Sequence, residues 1–341
     1  MEEQDNINQE QEPKITAPVN KYVNEKDLEY INSIFAKAQA EIKKVVVGQD
    51  ETIRLLLVAL LSGGHVLLEG VPGIAKTLLV KLLSKTINTK YNRIQFTPDL
   101  MPSDVIGTTI YNMQASDFFF RKGPVFSNVI LIDEINRAPA KTQAALFEVM
   151  EEKQVTVDSE TYVFEKPLFI VATQNPIEQE GTYKLPEAQL DRFIFRVKMN
   201  YPTLEDEQAI LMRFKSDFDS TVVNDVNTVL EKNDLDKCWK LIEDVHISDD
   251  LIRYISEIIH LTRNKGDIYL GASPRASLAI LKTAKALAVL NGRDFVTPDD
   301  IKAVLNPVLN HRIILMPERE MEGAEPEDVI TEIVNQVEVP R

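Results

Sequence analysis

Cysteine is almost missing: the 341-residue chain has one, Cys238. A lone thiol excludes an intrachain disulfide and any multi-cysteine zinc site, and reads most simply as a small buried apolar residue. Histidine is scarce too, and His65, His246, His260 and His311 show no metal-ligand spacing. The longest strongly apolar run, Leu55 to Leu61, is far short of the ~20 residues a spanning helix needs. Met1-Glu2-Glu3-Gln4-Asp5-Asn6 carries no apolar signal-peptide core, so the expectation is a soluble, cytoplasmic chain without membrane insertion. Basic charge is outnumbered, with 38 Lys plus Arg against 53 Asp plus Glu and a formal net charge of -15. Nucleic-acid affinity rests largely on Lys and Arg neutralising phosphates, so a general polyanion binder is disfavoured. The deficit is uneven. Residues 1–30 hold eight acidic and three basic side chains and residues 317–341 hold eight and two, which leaves only -4 for 31–316. Exclusion of nucleic acid therefore rests on motifs more than on bulk charge.

What is present is ordinary globular material, 44% hydrophobic and 27% charged, with enough apolar content for a sizeable core. Length alone points to about two domains. Residues 1–26 are rich in Gln, Asn and Glu without an apolar period and read as a flexible tail. From Asp27 onward, Leu28, Ile31, Ile34, Phe35, Ala38 and Ile42 recur at helical spacing, and a second apolar helix is predicted over 50–61. Short buried strands at 66–69, 93–97, 129–132, 168–172 and 193–197 then alternate with helices, including 76–87 and 140–151. Such alternation predicts a parallel sheet covered on both faces. Two β-prone stretches, within 107–127 and 154–165, interrupt it as hairpins. After Tyr201-Pro202 helices dominate, at 205–214, 249–262, 274–290 and 298–308. The expected division is a tail (1–26), a sheet domain (27–200), a helical domain (201–316) and an acidic, partly loose C-terminal segment (317–341).

The strongest chemical signal is Gly70-Val71-Pro72-Gly73-Ile74-Ala75-Lys76-Thr77-Leu78, between a predicted strand and a predicted helix. A phosphate-binding loop needs that context, because backbone N–H groups must converge on phosphate oxygens while the positive helix end points at them. Lys76 would reach the β- and γ-phosphates and the Thr77 hydroxyl would ligate Mg²⁺. Ala75 stands where a second glycine is usual. Its methyl is tolerated only if the backbone torsions suit an L-residue and Cβ points away from the phosphates. The plain alternative is a Gly-rich turn that links strand to helix.

A second signal is the apolar strand Val129-Ile130-Leu131-Ile132, which ends in Asp133 and Glu134. Asp133 at the strand tip could hold Mg²⁺ through water, and Glu134 could polarise an attacking water as general base. A solvated Asp-Glu turn is the alternative. Two such motifs at the carboxyl ends of strands, where ligands bind in sheets of this kind, favour a nucleotide site.

Four further stretches extend the pattern: Ile94-Gln95-Phe96-Thr97-Pro98-Asp99-Leu100-Met101-Pro102-Ser103-Asp104, Ala172-Thr173-Gln174-Asn175-Pro176, Leu185-Pro186-Glu187-Ala188-Gln189-Leu190-Asp191-Arg192-Phe193 and Ser273-Pro274-Arg275. With these in order, the chain resembles the AAA+ ATPases, and among them the MoxR family of the helix-2-insert type, over roughly residues 30–315. Ala75 is itself usual in that family. The resemblance implies an α/β P-loop NTPase fold, with a five-stranded parallel sheet and a smaller all-helical lid, and ATP with Mg²⁺ bound between them. It also implies roles. Asn175 resembles the sensor-1 residue that holds the attacking water; an Asn-Pro turn former is the alternative. Arg192 resembles the arginine finger that reaches a neighbouring subunit's γ-phosphate; the alternative is a surface Arg paired with Asp191 or Glu187. Arg275 resembles sensor 2, contacting the nucleotide from the lid, and Val47, Gly48 and Gln49 match the segment beside adenine. Gln95 would steer Glu134 between rotamers, and Arg137 would either face an interface or pair locally. Phe118, Phe119 and Phe120 are either partner contacts or core beneath the first hairpin. The function implied is ATP hydrolysis by a homo-oligomer, a hexameric ring, that remodels or matures partner proteins. It includes metal-cofactor insertion, and a client bearing a von Willebrand factor A domain. A nucleotide-switched scaffold and a DNA-acting AAA+ protein are the alternatives.

Overall fold

The structure, a computed structural model, describes residues 24–177, 181–215 and 225–340. The tail expected over 1–26 lies, up to residue 23, outside the described residues. Asn24 accepts the Lys26 N–H at 3.1 Å and caps α1 (Glu25–Lys43). The six apolar residues that set the expected helical spacing are its buried face. Next come α2 (Asp50–Leu61), β1 (Val66–Glu69), α3 (Lys76–Thr86) and β2 (Tyr91–Gln95). α4 (Pro102–Ile106) leads into a hairpin of β3 (Gly107–Asn112) and β4 (Asp117–Lys122). β5 (Val129–Asp133) and α5 (Ala140–Glu152) precede a second hairpin, β6 (Gln154–Val157) and β7 (Glu160–Val163). β8 (Phe169–Gln174), α6 (Glu187–Leu190) and β9 (Phe195–Lys198) complete the sheet domain.

The sheet has five parallel strands in the order β2-β5-β8-β1-β9. Side chains alternate across a strand, so a doubly covered sheet divides its residues between two cores. Val129, Leu131, Phe169 and Val171 join the core beneath α1, α2 and α3. Ile130, Ile132, Ile170 and Ala172 join the core beneath α5. In β5 all five residues are buried, which explains its unbroken apolar run.

Beyond the sheet lie α7 (Leu204–Phe214), α8 (Lys232–Asp244), α9 (Asp249–Asn264), β10 (Ile268–Leu270), α10 (Pro274–Leu290), α11 (Pro298–Leu309), β11 (Ile314–Leu315), α12 (Pro317–Met321) and α13 (Pro326–Gln336). Three features depart from expectation. First, β10 and β11 pair antiparallel, so the lid is not purely helical. Second, the C-terminal segment is not loose. Pro326 opens α13 at a position where the lost N–H is harmless, and Val329, Ile330 and Ile333 are buried on the helix, which packs on α9 and α11. Its glutamates masked that apolar face. Third, α8 was not foreseen, because its buried Leu235, Cys238, Leu241 and Ile242 are interrupted by charged residues. Burial in this helix pushes the Cys238 thiol up to about 12, as suits an inert core residue. His65 and His311 are also core residues, with burial holding His65 down to about 4 and His311 well below its ordinary value.

The phenylalanine triplet splits. Phe120 packs against Tyr162 and Phe126, with ring centroids 4.8 and 5.8 Å away. Phe118 and Phe119 are exposed at 68% and 47%.

Candidate functional site: a phosphate loop beside two strand-tip carboxylates

β1 runs into the loop at Gly70. A Cβ there would meet Ile74 Cδ1 and lie 2.9 Å from the Met199 carbonyl oxygen, and the backbone contact makes the turn require glycine. Gly73 follows with φ +88°. Ala75 adopts φ 64° and ψ 23°, the left-handed region. The condition that its torsions suit an L-residue is therefore not met, and the methyl group carries strain of roughly 1–2 kcal/mol. We expect Ala75→Gly to raise unfolding stability by about 0.5–1 kcal/mol, strain relief outweighing the unfolded-state entropy of glycine. Urea unfolding checks this, and a loss of stability would mean that the methyl packs favourably.

α3 opens at Lys76, so its free N–H groups and positive end face the loop. Lys76 Nζ donates to the Gly70 carbonyl at 2.6 Å, folding the ammonium back over the loop. Thr77 Oγ1 donates to Asp133 Oδ2 at 3.3 Å. Thr173, on neighbouring β8, donates from Oγ1 to Asp133 Oδ1 at 2.6 Å and accepts the Glu134 N–H at 3.0 Å. One hydroxyl thus orients both strand-tip residues. Glu134 itself sits at φ 57°, ψ 54°, a strained conformation of the kind that clusters at functional sites. Its Oε2 accepts from Gln95 Nε2 at 2.8 Å and from Arg137 Nη1 at 3.0 Å. Arg137 therefore pairs locally, and Gln95 does touch Glu134. Among the described residues no cluster of three or more His, Cys, Asp and Glu side chains could hold a metal. The Thr77 hydroxyl beside the Asp133 carboxylate is instead a sparse, hard-oxygen set. That chemistry fits Mg²⁺, which uses one or two protein oxygens together with substrate phosphates.

A cavity of about 540 Å³ opens beside the loop. Val45, Val46, Val47, Pro72, Gly73 and Ile74 form one side, continued by Ala75 and Leu78. Its far wall is Tyr201, Pro202 and α7, whose Leu204 and Leu211 remain 68% and 70% exposed. An apolar wall with few polar groups suits a heteroaromatic ring. Gly48 does not line this cavity. A Cβ on Gly48 would lie 2.6 Å from the Asp206 carboxylate, so the glycine lets the start of α7 close against the loop segment. Asn175 is buried, and its Oδ1 accepts the Ile177 N–H at 3.2 Å. In this state the amide closes its Asn-Pro turn.

Arg275 corrects an expectation. It does not line the cavity beside the loop. Its Nη2 lies 2.7 Å from Glu151 Oε1, at the end of α5, and Arg192 Nε lies 3.4 Å from Oε2 of the same carboxylate. Arg192 pairs with neither Asp191 nor Glu187 in the described residues; its guanidinium lies over the Phe147 ring, 5.8 Å from the centroid, and Nε has no hydrogen bond. The two arginines form one cluster, apart from their own loop.

Arg312 was missed in the sequence. Buried after α11, it donates from Nε to Asp191 Oδ1 at 2.6 Å, from Nη2 to the Phe193 and Asp191 carbonyls at 2.7 and 3.0 Å, and from Nη1 to the Ile194 carbonyl at 3.2 Å. The lid thereby clasps the segment that carries Arg192. An isolated Arg carries no local signal of such a role.

The loop, the strand-tip carboxylates and the sheet order define a P-loop nucleotide-binding ATPase domain followed by a lid. Residues 65–195 match the ATPase family associated with various cellular activities (AAA), and residues 260–333 match the AAA lid domain. The chain is 45% identical to an uncharacterized Bacillus subtilis protein, YeaC, over 92% of this chain and 97% of that protein. It is 41% identical to Chaperone MoxR1 of Mycobacterium tuberculosis, over 89% and 82% of the respective chains. A crystal structure from Cytophaga hutchinsonii, provisionally assigned as an ATPase, superposes with a TM-score of 0.86 at 45% identity, over 93% of this chain and 98% of that one. The chain belongs to the MoxR family of AAA+ ATPases.

Proposed function

We propose that this protein hydrolyses ATP at sites completed by a neighbouring copy, and that turnover remodels or matures a separate client protein. One observation carries the reading. Lys76, Thr77, Asp133 and Glu134 converge at one sheet edge, while Arg192 and Arg275 gather on Glu151 away from it. Two of the three cations that would meet a γ-phosphate thus lie apart from their own loop. A neighbour's loop would receive them, which supports assembly into a homo-oligomeric ring of hexameric type.

Within such a site the loop amides and Lys76 bind the phosphate chain, and the cavity walled by Val45 to Val47 and α7 takes the adenine. Thr77 and Asp133 would hold Mg²⁺, which neutralises charge on the β- and γ-phosphates. Glu134 accepts a proton from the attacking water, and Gln95 holds that carboxylate until it is needed. Asn175 lies at the tip of β8 and orients the water once its turn contact is exchanged. Arg192 and Arg275, acting on the neighbour's nucleotide, stabilise charge in the transition state. This trans assignment of Arg275 replaces a contact with its own nucleotide.

The chaperone name of a relative at 41% identity supports a protein client. A client bearing a von Willebrand factor A domain, and insertion of a metal cofactor into it, fit the same class. No described helix is long and apolar enough to cross a membrane. Lys76→Ala is expected to weaken ATP binding by roughly 10- to 100-fold, the value of a charge-assisted phosphate contact. Retained tight binding in a calorimeter would sink the loop assignment.

A further inference from the structure

The hydrogen bonds around Asp133 include a cation with no role in the reading above. Arg93 lies on β2, two residues before Gln95, so both side chains project from the same face of the strand. Its Nε and Nη2 donate to Asp133 Oδ2 at 3.1 and 2.8 Å. The same Nη2 donates to Gln95 Oε1 at 2.9 Å. Gln95 then donates from Nε2 to Glu134 Oε2 at 2.8 Å. Asp133 Oδ2 is also the oxygen that Thr77 Oγ1 reaches, at 3.3 Å.

From this chain of contacts we infer that Arg93 is a positioning residue that couples cation occupancy at Thr77 and Asp133 to the release of Glu134. The inference rests on the reading of those two residues as the cation site and of Glu134 as the base. A guanidinium and a divalent cation compete for one carboxylate oxygen and repel each other. Withdrawal of Arg93 from Oδ2 also removes the donor that occupies Gln95 Oε1. A side-chain amide has its acceptor and its donors on opposite arms, so an engaged Oε1 dictates that Nε2 faces Glu134. Once Oε1 is free, the amide can turn and the carboxylate loses its restraint. Glu134 is therefore held while Arg93 neutralises Asp133, and freed when the nucleotide arrives with its cation. Arg93 is 49% exposed, so the ion pair is screened and weak enough to exchange.

The test uses the full chain, adenylyl imidodiphosphate as a non-hydrolysable ATP analogue, and calorimetry in two stages. Analogue binding is measured first in EDTA, then Mg²⁺ is titrated into the saturated protein. Arg93→Ala is expected to leave the metal-free affinity within about twofold of wild type and to tighten Mg²⁺ by about two- to fivefold, the range of a screened ion pair that no longer competes. Unchanged or weaker Mg²⁺ binding, with analogue binding retained, overturns the inference and leaves the nucleotide site standing. Failure of the wild type to bind the analogue overturns the site reading, and the inference with it. Arg93→Lys gives a second measurement, because an ammonium retains charge at Asp133 and lacks the fork that also reaches Gln95. It should keep the wild-type Mg²⁺ affinity and make an added Gln95→Ala change silent in single-turnover rate. A fully additive Gln95→Ala effect in that background overturns the coupling.

Discussion

Replacing Arg192 with alanine is expected to lower kcat by about 10³- to 10⁵-fold, the value of an arginine finger, while ATP affinity stays within about threefold of wild type. The separation follows from where the side chain lies. Arg192 is held loosely, 3.4 Å from Glu151 and above Phe147, and does not line the cavity beside its own loop. Loss of the guanidinium therefore leaves the binding walls intact and removes charge stabilisation supplied to a neighbour. Equilibrium binding and steady-state turnover on the same preparation test the split. Mixing decides whether the action is in trans. A ring containing both Arg192→Ala and Lys76→Ala subunits has some interfaces with an intact loop on one side and an intact arginine on the other. Activity should reappear on mixing two inactive preparations. Equal loss of binding and turnover, or no recovery on mixing, would contradict the role.

Arg312→Met is expected to destabilise the protein by about 3–5 kcal/mol, as when one partner of a buried ion pair is removed. Methionine fills much of the volume but removes the Arg312 donors to Asp191 Oδ1 and to the Asp191, Phe193 and Ile194 carbonyls, leaving the carboxylate the Ser273 hydroxyl and the Phe193 carbonyl the His311 ring. The Arg312 side chain is 3% exposed, so water cannot replace it. Burial pulls its guanidinium down from its ordinary value and the Asp191 carboxylate opposes that pull. Urea unfolding measures the loss, and a change below about 1 kcal/mol would mean that the site relaxes to let water in. Arg312→Lys adds a functional readout. A lysine keeps the charge but cannot reproduce the planar fork, so the 191–194 segment should shift and turnover should fall more than nucleotide affinity.

Both results depend on contacts between parts of the chain far apart in sequence, about forty residues for Arg192 with Glu151 and Phe147 and 121 for Arg312 with Asp191, and no local pattern encodes them. The loop at Gly70–Thr77 and the strand tip at Asp133 are legible, because each is contiguous. A phosphate cradle is a run of backbone N–H groups between a strand and a helix, so its requirements are written in neighbouring residues. The five strands were legible for a similar reason, since burial on both faces forces an apolar run and each run ends at a turn. Errors arose where composition hid a pattern. Charged residues obscure the apolar faces of α8 and α13, and an alanine at 75 carries no signal of the left-handed torsions that the loop imposes on it.

Local order, then, is what the amino-acid sequence determines by itself here: which segments are strands, where the phosphate loop lies, which carboxylates stand at a strand end. Those depend on torsional preference and side-chain period, which act over a few residues. Tertiary structure alone decides the company each charge keeps. The order β2-β5-β8-β1-β9 sets Gln95 beside Asp133 and Thr173 beside the same carboxylate. Docking of the lid takes Arg275 away from the loop and joins it to Arg192 on Glu151, and it buries Arg312 on the segment between them. Ionic partners are chosen by distance in three dimensions, and no periodicity along the chain encodes which crossover or which domain will bring them within reach.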